Sequence, residues 1–368
     1  MTRIRGRIVR PGAVINGYVE VDGPVIVEVG EDTHEETDFV VPGFVDLHCH
    51  GGGGHTFTTG DAVAAERAAV FHVEHGTTTM LASLVSSPFE LMTAAIDAFR
   101  PLVTRGVIAG IHFEGPYLSA ARCGAQNPAF LRDPDMAEIE KLVEVTRMMT
   151  IAPELPGALE AIEFLSGSGI VAAIGHTDAT YEQTLAGIAA GATVATHLCN
   201  GMRPMHHREP GPVAGALATP PIVCELIADG IHLHDGMLTF AARAAGPHRA
   251  ALITDAIDAA GMPDGTYELG GQTVTVADRV ARIASGSIAG STLTMDAAVR
   301  RAVAAGLPLE DVCLMASTTP ARVLGLADEV GALEAGLRAD LVVLSPSLRV
   351  KRVMRGGRWA AEASPTAP

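Results

Sequence analysis

Two textures of hydrophobic patterning divide this chain. Residues 1 to about 42 carry short β-like segments, Arg7-Ile8-Val9-Arg10, Val14-Ile15 and Val25-Ile26-Val27-Glu28-Val29. Turn dipeptides Pro11-Gly12, Asn16-Gly17 and Asp22-Gly23 punctuate them, which predicts strands joined by tight turns. From residue 39 the pattern changes. Eight short apolar runs follow, at 39–47, 77–84, 107–113, 148–152, 170–174, 192–195, 223–227 and 250–253. Near-continuous apolar strands are buried on both faces, as in parallel sheets. Helical patterns fill the gaps: one capped by Asp61 and stopping at Gly76, one from Pro134 to Val145, one from Tyr181 to Ala190. Eight strand–helix units predict an α/β fold, a (β/α)8 TIM barrel over 43–333. A stretch at about 262–288, rich in Gly and Pro at its start, predicts an inserted hairpin. After Pro320 strands return at 341–344 and 350–354. Residues 1–42 and 334–368 are therefore expected to form one small β-sandwich domain beside the barrel, with the tail frayed from Ala360.

Composition narrows the function classes. The 368 residues are 48% hydrophobic, enough for a large core. The formal net charge of −16 leaves no global basic footprint, so nucleic acid is not an expected partner. An anionic ligand would need a local Arg cluster, because Lys141 and Lys351 are the sole lysines. No run approaches the ~18 apolar residues of a membrane span. The five cysteines (Cys49, Cys123, Cys199, Cys224, Cys313) are scattered without CxxC spacing, which fits a reducing, cytoplasmic setting.

Chemistry concentrates where the apolar runs end, the face on which such barrels carry their sites. The first run ends in His48-Cys49-His50, and i, i+2 side chains of a strand share a face. The third ends in Glu114, the fifth in His176, the sixth in His197 and the eighth in Asp255; the seventh leads to Asp229-Gly230-Ile231-His232. A lone His at a strand end is more often structural, and a lone Asp is often a helix cap. Six N/O candidates on one rim point instead to a divalent cation: Zn2+ first, with Fe2+, Co2+ or Mn2+ as alternatives. Such a cation lowers the pKa of its water and polarises a carbonyl. Asp255 is then the natural proton shuttle of an amide hydrolysis. Cys49, His72, His75, His206 and His207 read as packing, helix-end or loop residues, and Cys123 as an exposed thiol.

The HxH after strand 1, His after strands 5 and 6, and Asp after strand 8 resemble the amidohydrolase superfamily. Its members often carry a carboxylated Lys on strand 4, which is absent here. The stretches His112-Phe113-Glu114-Gly115-Pro116, Ile174-Gly175-His176-Thr177 and Thr196-His197-Leu198-Cys199-Asn200-Gly201-Met202-Arg203-Pro204 resemble the branch that deacetylates N-acetylglucosamine 6-phosphate. The resemblance implies that Glu114, His176 and His197 hold one metal, and that His48 and His50, bridged through Glu114, hold a second. It implies Asn200, Gly201, Ala125 and Gln126 as sugar contacts, with Gln126 standing where His is frequent. Arg208 and His232 would hold the phosphate of a phosphorylated N-acetyl amino sugar, in a homodimer. A different N-acyl-sugar or N-acyl-amino-acid deacetylase and a non-catalytic scaffold are the rival readings.

Overall fold

The computed structural model describes residues 1–362. Eight parallel strands form the barrel. In chain order they are β1 (Phe44–Asp46), β2 (Thr77–Val85), β3 (Gly110–Glu114), β4 (Thr146–Ile151), β5 (Val171–Ile174), β6 (Val194–Ala195), β7 (Val223–Ile227) and β8 (Ala250–Ile253). Each pairs with its sequence neighbour, in one unbroken order. The ring closes just past the strand ends, where Asp255 N–H donates to His48 O (2.8 Å) and His50 N–H to Ala256 O (2.7 Å). A helix follows each strand, from Ala62–Glu74 after β1 to Met295–Ala304 after β8. Asp61 caps the first through Ala64 N–H (2.7 Å), as its position in the sequence implies. Apart from Arg147 and Val171, every residue of the eight strands is buried. That accounts for their lack of alternation.

The run 39–47 is two strands. Phe39–Pro42 belongs to a second sheet, and Gly43 is the break. Gly43 passes so close to the next barrel strand that a Cβ would meet Thr78 Oγ1 at 2.2 Å. The second sheet has seven strands, Phe39–Pro42 lying parallel to Thr2–Arg10 and antiparallel to Leu341–Leu344. This one strand knits the two chain ends together. Ile4, Val19, Val21 and Ile26 from one side pack with Leu341, Val343 and Met354 from the other. The two layers expected of a sandwich are thus one continuous sheet folded over a shared interior, fastened where Ala339 N–H donates to Pro24 O (2.7 Å).

Three local expectations change. The insertion is a three-stranded meander, Gly265–Leu269, Gln272–Ala277 and Val280–Ile283, rather than a hairpin. Its Leu269, Val274 and Val276 pack with Val85 and Ile257 beside the barrel mouth. The helix expected over Pro134–Val145 is one turn, Met136–Ile139, capped by Asp135. The β-branched Val143 and Val145 suit the approach to β4 better than a helix. Arg358–Glu362 pairs with Val350–Arg355, so order extends past Ala360; residues 363–368, where fraying was also expected, lie outside the described residues.

Candidate metal centre and active site

Six predicted residues meet at the barrel mouth. His48 Nε2 lies 3.1 Å from His50 Nε2, and His176 Nε2 lies 3.1 Å from His197 Nε2. Glu114 stands between the pairs. Its Oε1 is 3.0 Å from His176 Nε2, 2.9 Å from His197 Nε2 and 3.5 Å from His48 Nε2; its Oε2 is 3.3 Å from His50 Nε2. Asp255 Oδ1 is 3.2 Å from His50 Nε2 and 3.6 Å from His48 Nε2. Two triads that could each hold a metal ion therefore share Glu114: His48–His50–Glu114 and Glu114–His176–His197.

The backbone delivers these side chains by two routes. His48 and His50 come from one extended segment continuing β1. His176, His197 and Asp255 each follow a strand in a left-handed conformation, with φ of 45°, 28° and 50°. Such φ values are uncommon for residues with a Cβ. At functional sites they persist where surrounding structure over-determines them.

Proton placement decides whether the cluster suits a cation. His50 Nδ1 is 3.1 Å from Ser83 O, and His176 Nδ1 is 2.9 Å from Arg122 O. A carbonyl only accepts, so in the neutral rings both Nδ1 atoms carry the proton. Both Nε2 atoms then present bare lone pairs to the centre. Lone pairs converging on a buried carboxylate are what a divalent cation satisfies, and imidazole with carboxylate suits zinc-type ions. Burial pushes the Glu114 pKa up, but when the rings are protonated instead, the charges of His48 and His176 and the hydrogen bonds of His176 and His197 outweigh it and hold Glu114 well below the usual carboxylate range. Asp255 is lowered in the same way, burial being outweighed by His48 and His50. Both are thereby favoured in the ionised form that a cation binds.

A cavity of about 240 Å³ opens above the cluster. Its wall includes Asn200, Gly201, Ala125, Gln126 and His232, all expected as ligand contacts. Burial opposes charge on His232, yet the hydrogen bond from its Nδ1 to Asp229 Oδ2 (2.7 Å) and the charge of Asp229 raise its pKa. Gln126 is already committed on two sides. Its Nε2 donates to Glu114 Oε2 (2.6 Å) and its Oε1 accepts from Ser86 N–H (2.7 Å). Arg208 is not among the residues lining the cavity. An antiparallel bridge joins His206 and Glu209 on either side of it, and the exposed Arg208 Nη1 donates to His207 Nε2 (2.8 Å).

Polar residues beneath the cluster escaped the sequence reading. Glu225 on β7 and Asp46 on β1 are fully buried. Asp46 accepts from Thr254 Oγ1 (2.5 Å), and burial pushes its pKa up to about 7. His112 on β3 packs edge-on against His48, its Nε2 2.8 Å from Thr150 Oγ1. The signal was available: each is a polar residue inside an otherwise apolar run. His72 and Cys49 pack together as structural groups, with Nε2 3.2 Å from Sγ.

The barrel, the histidine pairs and the shared Glu114 define a metal-dependent hydrolase class, and comparison with known proteins agrees. The chain belongs to the Amidohydrolase family, whose profile matches residues 39–360. It is 39% identical over 333 residues to the N-acetylglucosamine-6-phosphate deacetylase of Lysinibacillus sphaericus, covering 87% of this chain and 85% of the relative. It is 36% identical to the N-acetylgalactosamine-6-phosphate deacetylase of Escherichia coli O157:H7, covering 95% and 94%. Among solved structures it resembles a mutant N-acetyl-D-glucosamine-6-phosphate deacetylase from Mycobacterium smegmatis in complex with N-acetyl-D-glucosamine-6-phosphate. There the TM-score is 0.94 and the identity 43%, covering 97% of this chain and 98% of that one.

Proposed function

We propose that the chain hydrolyses N-acetyl-D-glucosamine 6-phosphate to D-glucosamine 6-phosphate and acetate, in amino-sugar breakdown or cell-wall recycling. The observation that carries this reading is the placement of Asp255 beside the Glu114-centred histidines, under a cavity whose wall bears His232. When bound, a divalent cation would polarise the acetamide carbonyl and make water a better nucleophile. Asp255 accepts a proton from the attacking water and returns it to the amine as the C–N bond breaks. The acid so formed gives up the second proton of the water, which the amine takes up, so the products are acetate and the ammonium form of the amino sugar, with atoms and charge in balance.

Binding falls to the cavity wall. His232, its charged form favoured by Asp229, would hold the phosphate, and Asn200 with Gly201, which line the same cavity, would contact the sugar. Arg208, on the loop that follows them, supplies a second cation when it exchanges His207 for a phosphate oxygen. Ala125 and Gln126 border the sugar from the opposite loop. Two Zn2+ ions per chain fit the two triads, with Fe2+, Co2+ or Mn2+ as other occupants. All five cysteines are free, and no helix among the described residues is long and apolar enough to cross a membrane. These features support a cytoplasmic enzyme, and we place it in a homodimer.

A second reading rests on the Escherichia coli relative: the C4-epimeric N-acetylgalactosamine 6-phosphate is the alternative substrate. Free amine measured across both phosphosugars and unphosphorylated N-acetylglucosamine tests the assignment. N-Acetyl-D-glucosamine 6-phosphate should be the best substrate; equal use of the unphosphorylated sugar would refute the phosphate pocket.

A further inference from the structure

Three of the four inward imidazoles are oriented through Nδ1. For His50 and His176 the partner is a main-chain carbonyl, which side-chain substitution does not delete. For His48 it is a side chain: Glu225 Oε2 lies 3.3 Å from His48 Nδ1. The same oxygen accepts from the backbone N–H of His197 at 3.2 Å, at the residue whose φ is 28°. Glu225 thus touches one ligand from each triad. Its burial is complete, in the middle of the apolar strand β7, and its Oε1 has no hydrogen-bond partner. A buried carboxyl with an idle oxygen is costly in a strand that serves packing alone.

We infer that Glu225 is a positioning residue of the metal centre: it fixes His48 as the Nδ1–H tautomer, aims its Nε2 lone pair inward, and clamps the His197 turn. This rests on the reading of the four imidazoles as metal ligands. Acceptors on the outer nitrogen of a ligating imidazole typically change metal affinity by about 10- to 100-fold. Glu225 does not touch the substrate cavity, so its effect is on metal retention first and turnover second.

The test pairs two variants with a measurement on unaltered protein. Zinc affinity is read by competition with a chromophoric chelator for the wild type, Glu225→Leu and Glu225→Gln. Glu225→Leu, which removes the acceptor, should weaken zinc binding by about 10- to 100-fold. Glu225→Gln keeps an oxygen that can accept from both groups and should recover most of that loss. Zinc binding by Glu225→Leu within twofold of wild type would overturn the inference. Should that variant fail to fold, nitrogen-15 shifts of the metal-free wild type decide alone. His48 must be protonated at Nδ1, and an Nε2–H tautomer would overturn the inference without any mutation. Wild-type protein that binds no zinc would instead remove the metal reading beneath it.

Discussion

His48 and His50 reach the Glu114 cluster from one segment that continues β1, whereas His176 and His197 reach it from the ends of two different strands. The first pair needs only the two-residue period of a strand. The second needs two left-handed residues, at φ 45° and 28°. The pairs also differ in support. His48 and His50 lean on groups inside the barrel, Glu225 and Ser83 O. His176 leans on a loop, through Arg122 O, and that loop continues into the cavity wall at Gly124, Ala125 and Gln126. The inner pair is therefore set by the folded barrel, whereas in the outer pair His176 is coupled to the loop that borders the cavity and His197 is held from the barrel by Glu225. Glu114 is common to both.

Asp255 faces the inner pair and gives the largest expected effect. Asp255→Asn removes the proton acceptor while keeping its shape, and should lower kcat by about 10²- to 10⁴-fold with metal content retained. Full turnover in this variant would remove the assigned role. Replacing both His48 and His50 by Ala separates the halves. Elemental analysis should fall from two metals per chain to one, and an unchanged count would abolish the distinction between the triads. Arg208→Ala should raise KM for the phosphorylated sugar by about tenfold with little change in kcat, since hydrogen bonds to charged groups are worth ~1.5–3 kcal/mol. An unchanged KM would leave the exposed arginine outside the site.

The smallest effect concerns the support of the inner pair. His72 is fully buried, its Nε2 donates to Gly51 O (2.9 Å), and its Nδ1 has no partner. Burial lowers its pKa from 6.5 to about 4. The unfolded chain therefore takes up a proton that the folded chain refuses. The His72 contribution to stability is complete above pH 6.5 and is lost as pH falls toward 4. The slope is about 1.4 kcal/mol per pH unit for one proton. Denaturant melts of His72→Phe against wild type should show a shallower loss over that interval; parallel curves would exclude His72 as the source.

Sequence patterning exposed the barrel because its strands are buried on both faces, and the rim because His and Glu stand out at the ends of apolar runs. It could not show that the run 39–47 serves two sheets, since Val40 and Val45 are equally apolar; the close pass of Gly43 over Thr78 is a tertiary fact. It overextended the helix at Pro134–Val145, where Ile139 and Leu142 are buried at helical spacing although only one turn forms. Glu225 and Asp46 went unnoticed because an acidic residue inside a strand has no local signature of the partner it meets. His48 lies 177 positions from Glu225. Arg208 is a different case: its chemistry suits phosphate, but the sequence could not show that its exposed side chain lies outside the cavity wall.

Acetate release by metal-loaded enzyme from N-acetyl-D-glucosamine 6-phosphate, with one free amine formed per acetate, is the most direct measurement. Equimolar acetate and D-glucosamine 6-phosphate are expected, and the yield should collapse in Asp255→Asn. Loaded protein that releases no acetate from this sugar would contradict the assignment.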